Sequence, residues 1–307
     1  MSKKTSSILF VALLLVFVAT SQAFAQGLPI YNNIPSPLPG NLDSYGYAAW
    51  GVSEFGDRVA FAPATGRALT NVTVTMSSWG CQSGTWFSGD CVSASGATFA
   101  HPITLKIYNV AGVNGVGTLV GSVTQTFNIP YRPSADNVNC TGDDAGKWYD
   151  AASNTCFNGK AGNITFNTSG ITVPNQAIFG IAFNTTFYGY TPVGPSACST
   201  SAAGCPYDSL NVGLADPAVY NNVGSNPAPN DAYQYTLYGS CANGPIVPFG
   251  LDAGCWGGFK PSIRFNAKNP ALTKDDCKGN GWQTHTTATG QPFPNQGQCI
   301  QYVNTGK

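Results

Sequence analysis

Between residues 69 and 76 the side chains alternate in kind. Val72, Val74 and Met76 fall on one set of positions, Thr73 and Thr75 on the other. The same period of two returns in Ile103, Leu105 and Ile107 against Thr104, Lys106 and Tyr108. It returns again in Leu119, Val123, Phe127 and Ile129 against Ser122, Thr124, Thr126 and Asn128. Successive side chains of a strand point to opposite faces, so each stretch predicts a strand with one buried face. Further strands are predicted at 59–62, after the turn-like Phe55-Gly56-Asp57, and at 164–167, 210–214, 233–238 and 262–265. Residues 177–183 are apolar without alternation, which predicts a central strand buried on both faces. No stretch carries a persuasive 3.6-residue period. Strands recurring at this spacing predict an all-β, two-sheet β-sandwich, jelly-roll-like or immunoglobulin-like, over residues 45–268. Residues 26–44 hold Pro29, Pro35, Pro37 and Pro39 and read as an extended lead-in.

The N-terminus changes the picture by setting a compartment. Lys3 and Lys4 precede an apolar run over 8–19, and Ala23-Phe24-Ala25 follows. This is the three-part pattern of a secretory signal peptide, 1–25, with cleavage before Gln26. The run is shorter than the roughly 20 residues a membrane span needs, and no second one follows. The mature chain is expected to be secreted, without a transmembrane anchor. Ten cysteines agree with export. They fall into five sequence-neighbour pairs, and the expected disulfides are Cys81–Cys91, Cys140–Cys156, Cys198–Cys205, Cys241–Cys255 and Cys277–Cys299. Charged residues make up only 9% of the chain, and no basic stripe occurs, which argues against nucleic acid as a partner.

A composition break follows Phe265. Residues 269–307 read as a small disulfide-closed tail, with Cys277-Lys278-Gly279-Asn280-Gly281-Trp282 and Phe293-Pro294-Asn295-Gln296-Gly297-Gln298-Cys299-Ile300. The tail resembles one that recurs at the C-termini of exported bacterial proteins, built on Cys-Lys-x-Gly-Gly-Trp and Phe-Lys-Asn-Gln-Gly-x-Cys-Val. Here Asn280 replaces a glycine, Pro294 replaces the lysine, and residues 284–292 lengthen the spacer. The stretch 127–136 likewise resembles uncharacterised secreted bacterial sandwich proteins. These resemblances imply bacterial export and the Cys277–Cys299 bridge, and no activity.

Catalytic signatures are sparse. The pattern Gly-x-Ser-x-Gly fails at the last position of Gly51-Val52-Ser53-Glu54-Phe55, and the two histidines, His101 and His285, stand in no triad or zinc motif. Glu54, the only glutamate, and Asp57 are the carboxylates nearest to a glycosidase pair, with Arg58 as a ready ion partner for Asp57. Asp136, Asp143 and Asp144 crowd the 140–156 loop and offer hard oxygen ligands for a structural calcium, against which stands an ordinary solvated turn. No other cofactor is expected.

Aromatic residues beside loops carry the remaining chemistry. Trp86 and Phe87 sit at the tip of the 81–91 loop, and Trp148, Tyr188 and Tyr190 also adjoin loops. Exposed rings stack on sugar faces; rings folded back would be lids on the sandwich ends. Trp50, Trp79 and Trp256 read as core or sheet margin. The leading expectation is a non-enzymatic extracellular module that binds glycan or another cell-surface component. The alternatives are a structural, adhesive or self-assembling protein, and a polysaccharide-active hydrolase.

Overall fold

The structure, a computed structural model, describes residues 27–63, 67–184, 209–268, 273–285, 287 and 291–305. Residues 1–26, expected to hold the signal peptide, and Tyr188, Tyr190, Cys198 and Cys205 lie outside the described residues. In chain order the elements are β1 (Leu28–Asn32), β2 (Ser44–Tyr45), α1 (Tyr47–Trp50), β3 (Glu54–Ala60), β4 (Leu69–Ser78), β5 (Thr98–Ala111) and β6 (Gly115–Pro130). There follow β7 (Trp148–Asp150), β8 (Thr155–Phe157), β9 (Lys160–Asn167), β10 (Gln176–Ala182), β11 (Leu210–Ala215) and α2 (Pro217–Tyr220). The last are β12 (Asp231–Thr236), β13 (Ile246–Ala253), β14 (Lys260–Pro261), β15 (Ile263–Ala267) and α3 (Gln296–Thr305).

Two antiparallel sheets pack face to face, so the fold is the all-β sandwich that the alternation predicts. The first runs β1-β15-β4-β11-β14, with β9 also on β4 and β2 also on β11; the second runs β13-β12-β3-β10-β5-β6. Val72, Val74 and Met76 of β4 meet Ile103, Leu105, Ile107 and Phe179 across the interface. At roughly 25 cal/mol per Å² of apolar surface removed from water, this core is the main source of stability. The opposite face of β4 is polar yet also buried. Its groups find partners on β9 and before β2: Thr73 Oγ1 lies 3.0 Å from Thr165 Oγ1, Thr75 Oγ1 donates to Asn163 Oδ1 at 2.8 Å, and Ser77 Oγ donates to Asn41 Oδ1 at 2.7 Å.

β10 is buried on both faces, as its unbroken apolar run predicts. Phe179 and Ile181 enter the core, while Ile178 on the other face is covered too. The cover is the β5–β6 hairpin, whose tip folds across the outer face of the second sheet. Arg58 Nη1 donates to the Val113 and Asn114 oxygens at 2.7 and 2.8 Å, and Tyr233 Oη donates to Asn114 O at 2.9 Å. Tyr108 stacks on Phe249 at 5.4 Å. Arg58 is therefore committed to the hairpin rather than to Asp57.

Three sequence expectations change. Part of the proline-rich lead-in is sheet: β1 pairs with β15, and Ile30 and Tyr31 enter the core. The tail contains a helix, α3, which packs Cys299 against Cys277 and Phe293 in a small core of its own. Leu119 is 53% exposed, because a register shift between the Ile107–Gly121 and Tyr108–Leu119 pairs turns it to the outer face; Val123, Phe127 and Ile129 face inward as expected. Four disulfides are present among the described residues, Cys81–Cys91, Cys140–Cys156, Cys241–Cys255 and Cys277–Cys299. Each closes a short loop and stabilises by roughly 2–4 kcal/mol.

Candidate functional site

The concave feature with the chemistry of a binding site lies where α1 meets the loops after β12 and β13. Trp50, Tyr238 and Phe259 line a cavity of about 330 Å³ whose floor is Tyr45 and Trp256 and whose rim is Ser240, Asn243 and Cys255. Ligand pockets span roughly 300–1,000 Å³, so this one suits a small group. Trp50 is 47% exposed, Tyr238 67% and Phe259 46%, although each is large and apolar. Tyr45 and Trp256 are buried and meet edge to face at 4.9 Å, with Phe55 beneath both.

Local geometry explains why the rings stand there. Tyr47–Trp50 form a single helical turn that Gly51 ends in the left-handed region, at φ 61°, where a side chain would be strained. A Cβ at Gly51 would also lie 3.2 Å from the Tyr238 ring. Gly239 answers a closer approach: a Cβ there would meet Tyr45 Oη at 2.6 Å and Trp50 Cβ at 2.7 Å. Trp50 O accepts from Tyr238 N and from Thr236 Oγ1, at 3.2 and 2.8 Å, which fixes the two exposed rings relative to each other.

Beneath the pocket, Asp252 organises the walls. Its carboxylate accepts from Gln234 Nε2 at 2.6 Å, Trp256 Nε1 at 2.8 Å and Cys241 N at 2.9 Å. Gln234 in turn accepts from Tyr45 Oη at 2.8 Å. Burial pushes the Tyr45 hydroxyl up to about 12, so it stays a donor. Asp252 also groups with Cys241 and Cys255, but those sulfurs are bonded to each other and are no metal ligands.

The expected aromatic site on the 81–91 loop is divided. Trp86 folds back edge to face on Trp79, 4.7 Å away, and is half-buried, while Phe87 at the tip is 84% exposed. Trp148 is a correction: it is buried, donates Nε1–H to Gly159 O at 2.7 Å, and lies under Lys160 Nζ at 4.7 Å, so its ring is structural. Trp50 is the opposite correction, standing exposed where a sheet-margin role is expected. Trp86→Ala should lower stability by about 2 kcal/mol in urea denaturation, through lost packing on Trp79, and leave binding at the Trp50 pocket unchanged.

The carboxylates of the calcium expectation do not converge. Asp136 accepts from Val138 N, Asn139 N and Asn139 Nδ2, and these bonds hold its carboxyl below the usual range. Asp144 pairs with Lys147 at 2.6 Å, and Asp143 is exposed. Among the described residues no three His, Cys, Asp or Glu ligand atoms come within 4.8 Å of one another in this loop. Glu54 and Asp57 are three apart on β3 and so point to opposite faces. Glu54 accepts from Lys106 Nζ and Tyr108 Oη, at 2.6 and 2.8 Å, on the outer face, while Asp57 points between the sheets toward Lys260. Two carboxylates so placed cannot flank one glycosidic bond.

A second, more polar cleft of about 420 Å³ is lined by Asp216, Asn221, Asn226 and Asn230. The first three spend their side chains on local turns, accepting from Ala218 N, Val223 N and Ala228 N. The aromatic pocket was hidden from sequence because its rings come from three distant segments. The one signal was Tyr238-Gly239-Ser240 leading into the loop that Cys241–Cys255 closes. Compared with known proteins, the chain matches no protein family, no curated protein and no solved structure.

Proposed function

We propose that this protein is an exported, non-catalytic β-sandwich that binds carbohydrate in the Trp50–Tyr238–Phe259 pocket. The observation that carries this reading is the convergence of three exposed aromatic rings on one small cavity with Ser240 and Asn243 at its rim. Aromatic faces pack against the C–H faces of sugar rings, and polar rim groups bond the hydroxyls. The disulfides and the signal-peptide pattern support an extracellular setting. Among the described residues no helix is long and apolar enough to cross a membrane.

The test is retention of the purified, oxidised mature protein on a glycan array and on insoluble polysaccharides. Trp50→Ala should weaken binding about 30-fold, roughly 2 kcal/mol, as central aromatic anchors do. Phe87→Ala should leave it unchanged. A folded sample that no polysaccharide retains would end this reading. Loss of binding in Phe87→Ala alone would move the site to the 81–91 loop.

A second reading, self-assembly by strand addition, is favoured by one feature. β6 ends its sheet, and residues 112–131 contain no charged side chain, although charge is the usual guard of a long edge. Sedimentation should then show concentration-dependent association that Thr124→Lys abolishes. A strict monomer at high concentration would remove this alternative.

A further inference from the structure

Asp57 and Lys260 face each other inside the sandwich, one on β3 of the second sheet and one on β14 of the first. Both side chains are 1% exposed, and Lys260 Nζ lies 3.8 Å from Asp57 Oδ1. That oxygen has no hydrogen-bond partner among the described residues. The other, Oδ2, accepts from Asn226 Nδ2 at 2.6 Å. Lys260 Nζ donates to two backbone oxygens, those of Ala228 at 3.3 Å and of Asp231.

This is a poor arrangement for an ion pair. Two fully desolvated charges are repaid only when close geometry and further hydrogen bonds satisfy every oxygen and proton, and here the oxygen facing the amine is left bare. It is a good arrangement for two neutral groups. A neutral amine has two N–H bonds, which the Ala228 and Asp231 oxygens can take, and one lone pair, which is left for the Asp57 side. Burial acts in the same sense on both partners. It pushes the Asp57 carboxyl up to about 7 and the Lys260 amine below its ordinary range, while their mutual attraction opposes each shift only in part.

We propose that Lys260 and Asp57 condense to an isopeptide bond that links the two sheets through the core. The lone pair of neutral Nζ attacks Cγ of the protonated carboxyl, and an Nζ–Cγ bond forms. The Cγ–Oδ1 bond then breaks, and Oδ1 leaves as water, carrying its own proton and one from Nζ. Oδ2 remains as the amide carbonyl and keeps the Asn226 Nδ2–H bond, which also stabilises negative charge on Oδ2 in the tetrahedral intermediate. Nζ keeps one proton for a backbone carbonyl. No electron transfer and no co-reactant are needed. Enforced proximity replaces a bimolecular encounter, and exclusion of bulk water from the core disfavours the reverse hydrolysis. Asn226 acts as a positioning residue.

Mass spectrometry of the full mature protein, denatured and with every disulfide reduced and alkylated, tests this. The wild type should be lighter than its sequence by one water. Its proteolytic digest should contain a branched peptide that joins the segment around Asp57 to that around Lys260. Lys260→Met and Asp57→Ala should each restore the full mass. The wild-type digest decides the matter even if neither variant folds. An unmodified Asp57 peptide and an unmodified Lys260 peptide in the folded wild type would overturn the proposal. So would loss of one ammonia with the branch at Asn226, which would make the amide carbon, not the carboxyl, the partner of Lys260.

Discussion

Asp252→Ala should destabilise the protein by about 3–5 kcal/mol and erase the aromatic pocket with it. The reason is an asymmetry. A hydrogen bond formed on folding gains little, because water offered one before; a buried donor left without an acceptor loses its full solvation. Asp252 is buried and holds three such donors, Gln234 Nε2, Trp256 Nε1 and Cys241 N. Its removal also loosens Gln234, which accepts from Tyr45 on the pocket floor. Denaturant unfolding with tryptophan fluorescence would measure both effects, since Trp256 loses its acceptor in the same change. A loss under 1 kcal/mol would mean that the loop re-forms without the carboxylate. Trp50→Ala removes a half-exposed ring and leaves the bonds that Trp50 makes through its backbone, so it should weaken binding about 30-fold and spare the fold.

Acid should weaken the protein before most carboxylates titrate. His101 is buried on the inner face of β5, edge to face with Phe183 at 5.7 Å. Burial holds its imidazole down to about 4, against an ordinary 6.5, and a backbone hydrogen bond to Asn184 offsets this only in part. As pH falls through 6.5 the unfolded chain takes up a proton that the folded chain refuses, so stability drops. The loss accumulates between pH 6.5 and 4 and then levels, at about 3 kcal/mol in all. Unfolding free energy measured across this window should show the slope in the wild type and not in His101→Phe. Equal slopes in both proteins would assign the acid sensitivity elsewhere.

The sandwich was legible because its longest strands obey the simplest rule a strand has. β4, β5 and β6 each alternate, and β10 breaks alternation for a reason, the hairpin lid over Ile178. What the sequence concealed shares a cause too. β1 is crossed by Pro29 and β13 by Pro248, and β2 and β14 are two residues long, too short for any period to register. α3 runs over Gln296-Gly297-Gln298-Cys299, whose glycine and polar majority mask a helical stripe. The four described cystines matched the rule of nearest partners because each closes a local loop. The site was least legible. Trp86 and Trp148 stand beside loops and look available, yet one leans on Trp79 and the other carries Lys160. Trp50 becomes exposed only because Gly51 turns the chain and Gly239 lets Tyr45 and Trp50 approach.

The pairing of β1 with β15 sets an order of events for the living chain. Ile30 and Tyr31 emerge from the ribosome among the first residues of the sandwich, and β15, whose Phe265 pairs with Tyr31, among the last. The first sheet cannot close at that edge until nearly all of the sandwich has been made. Until then one edge of β4 waits without β15, and two core side chains wait in solvent. Such non-local contacts come late and slowly, so the nascent protein remains threadable, and exposed to sticking, for almost the whole of its synthesis.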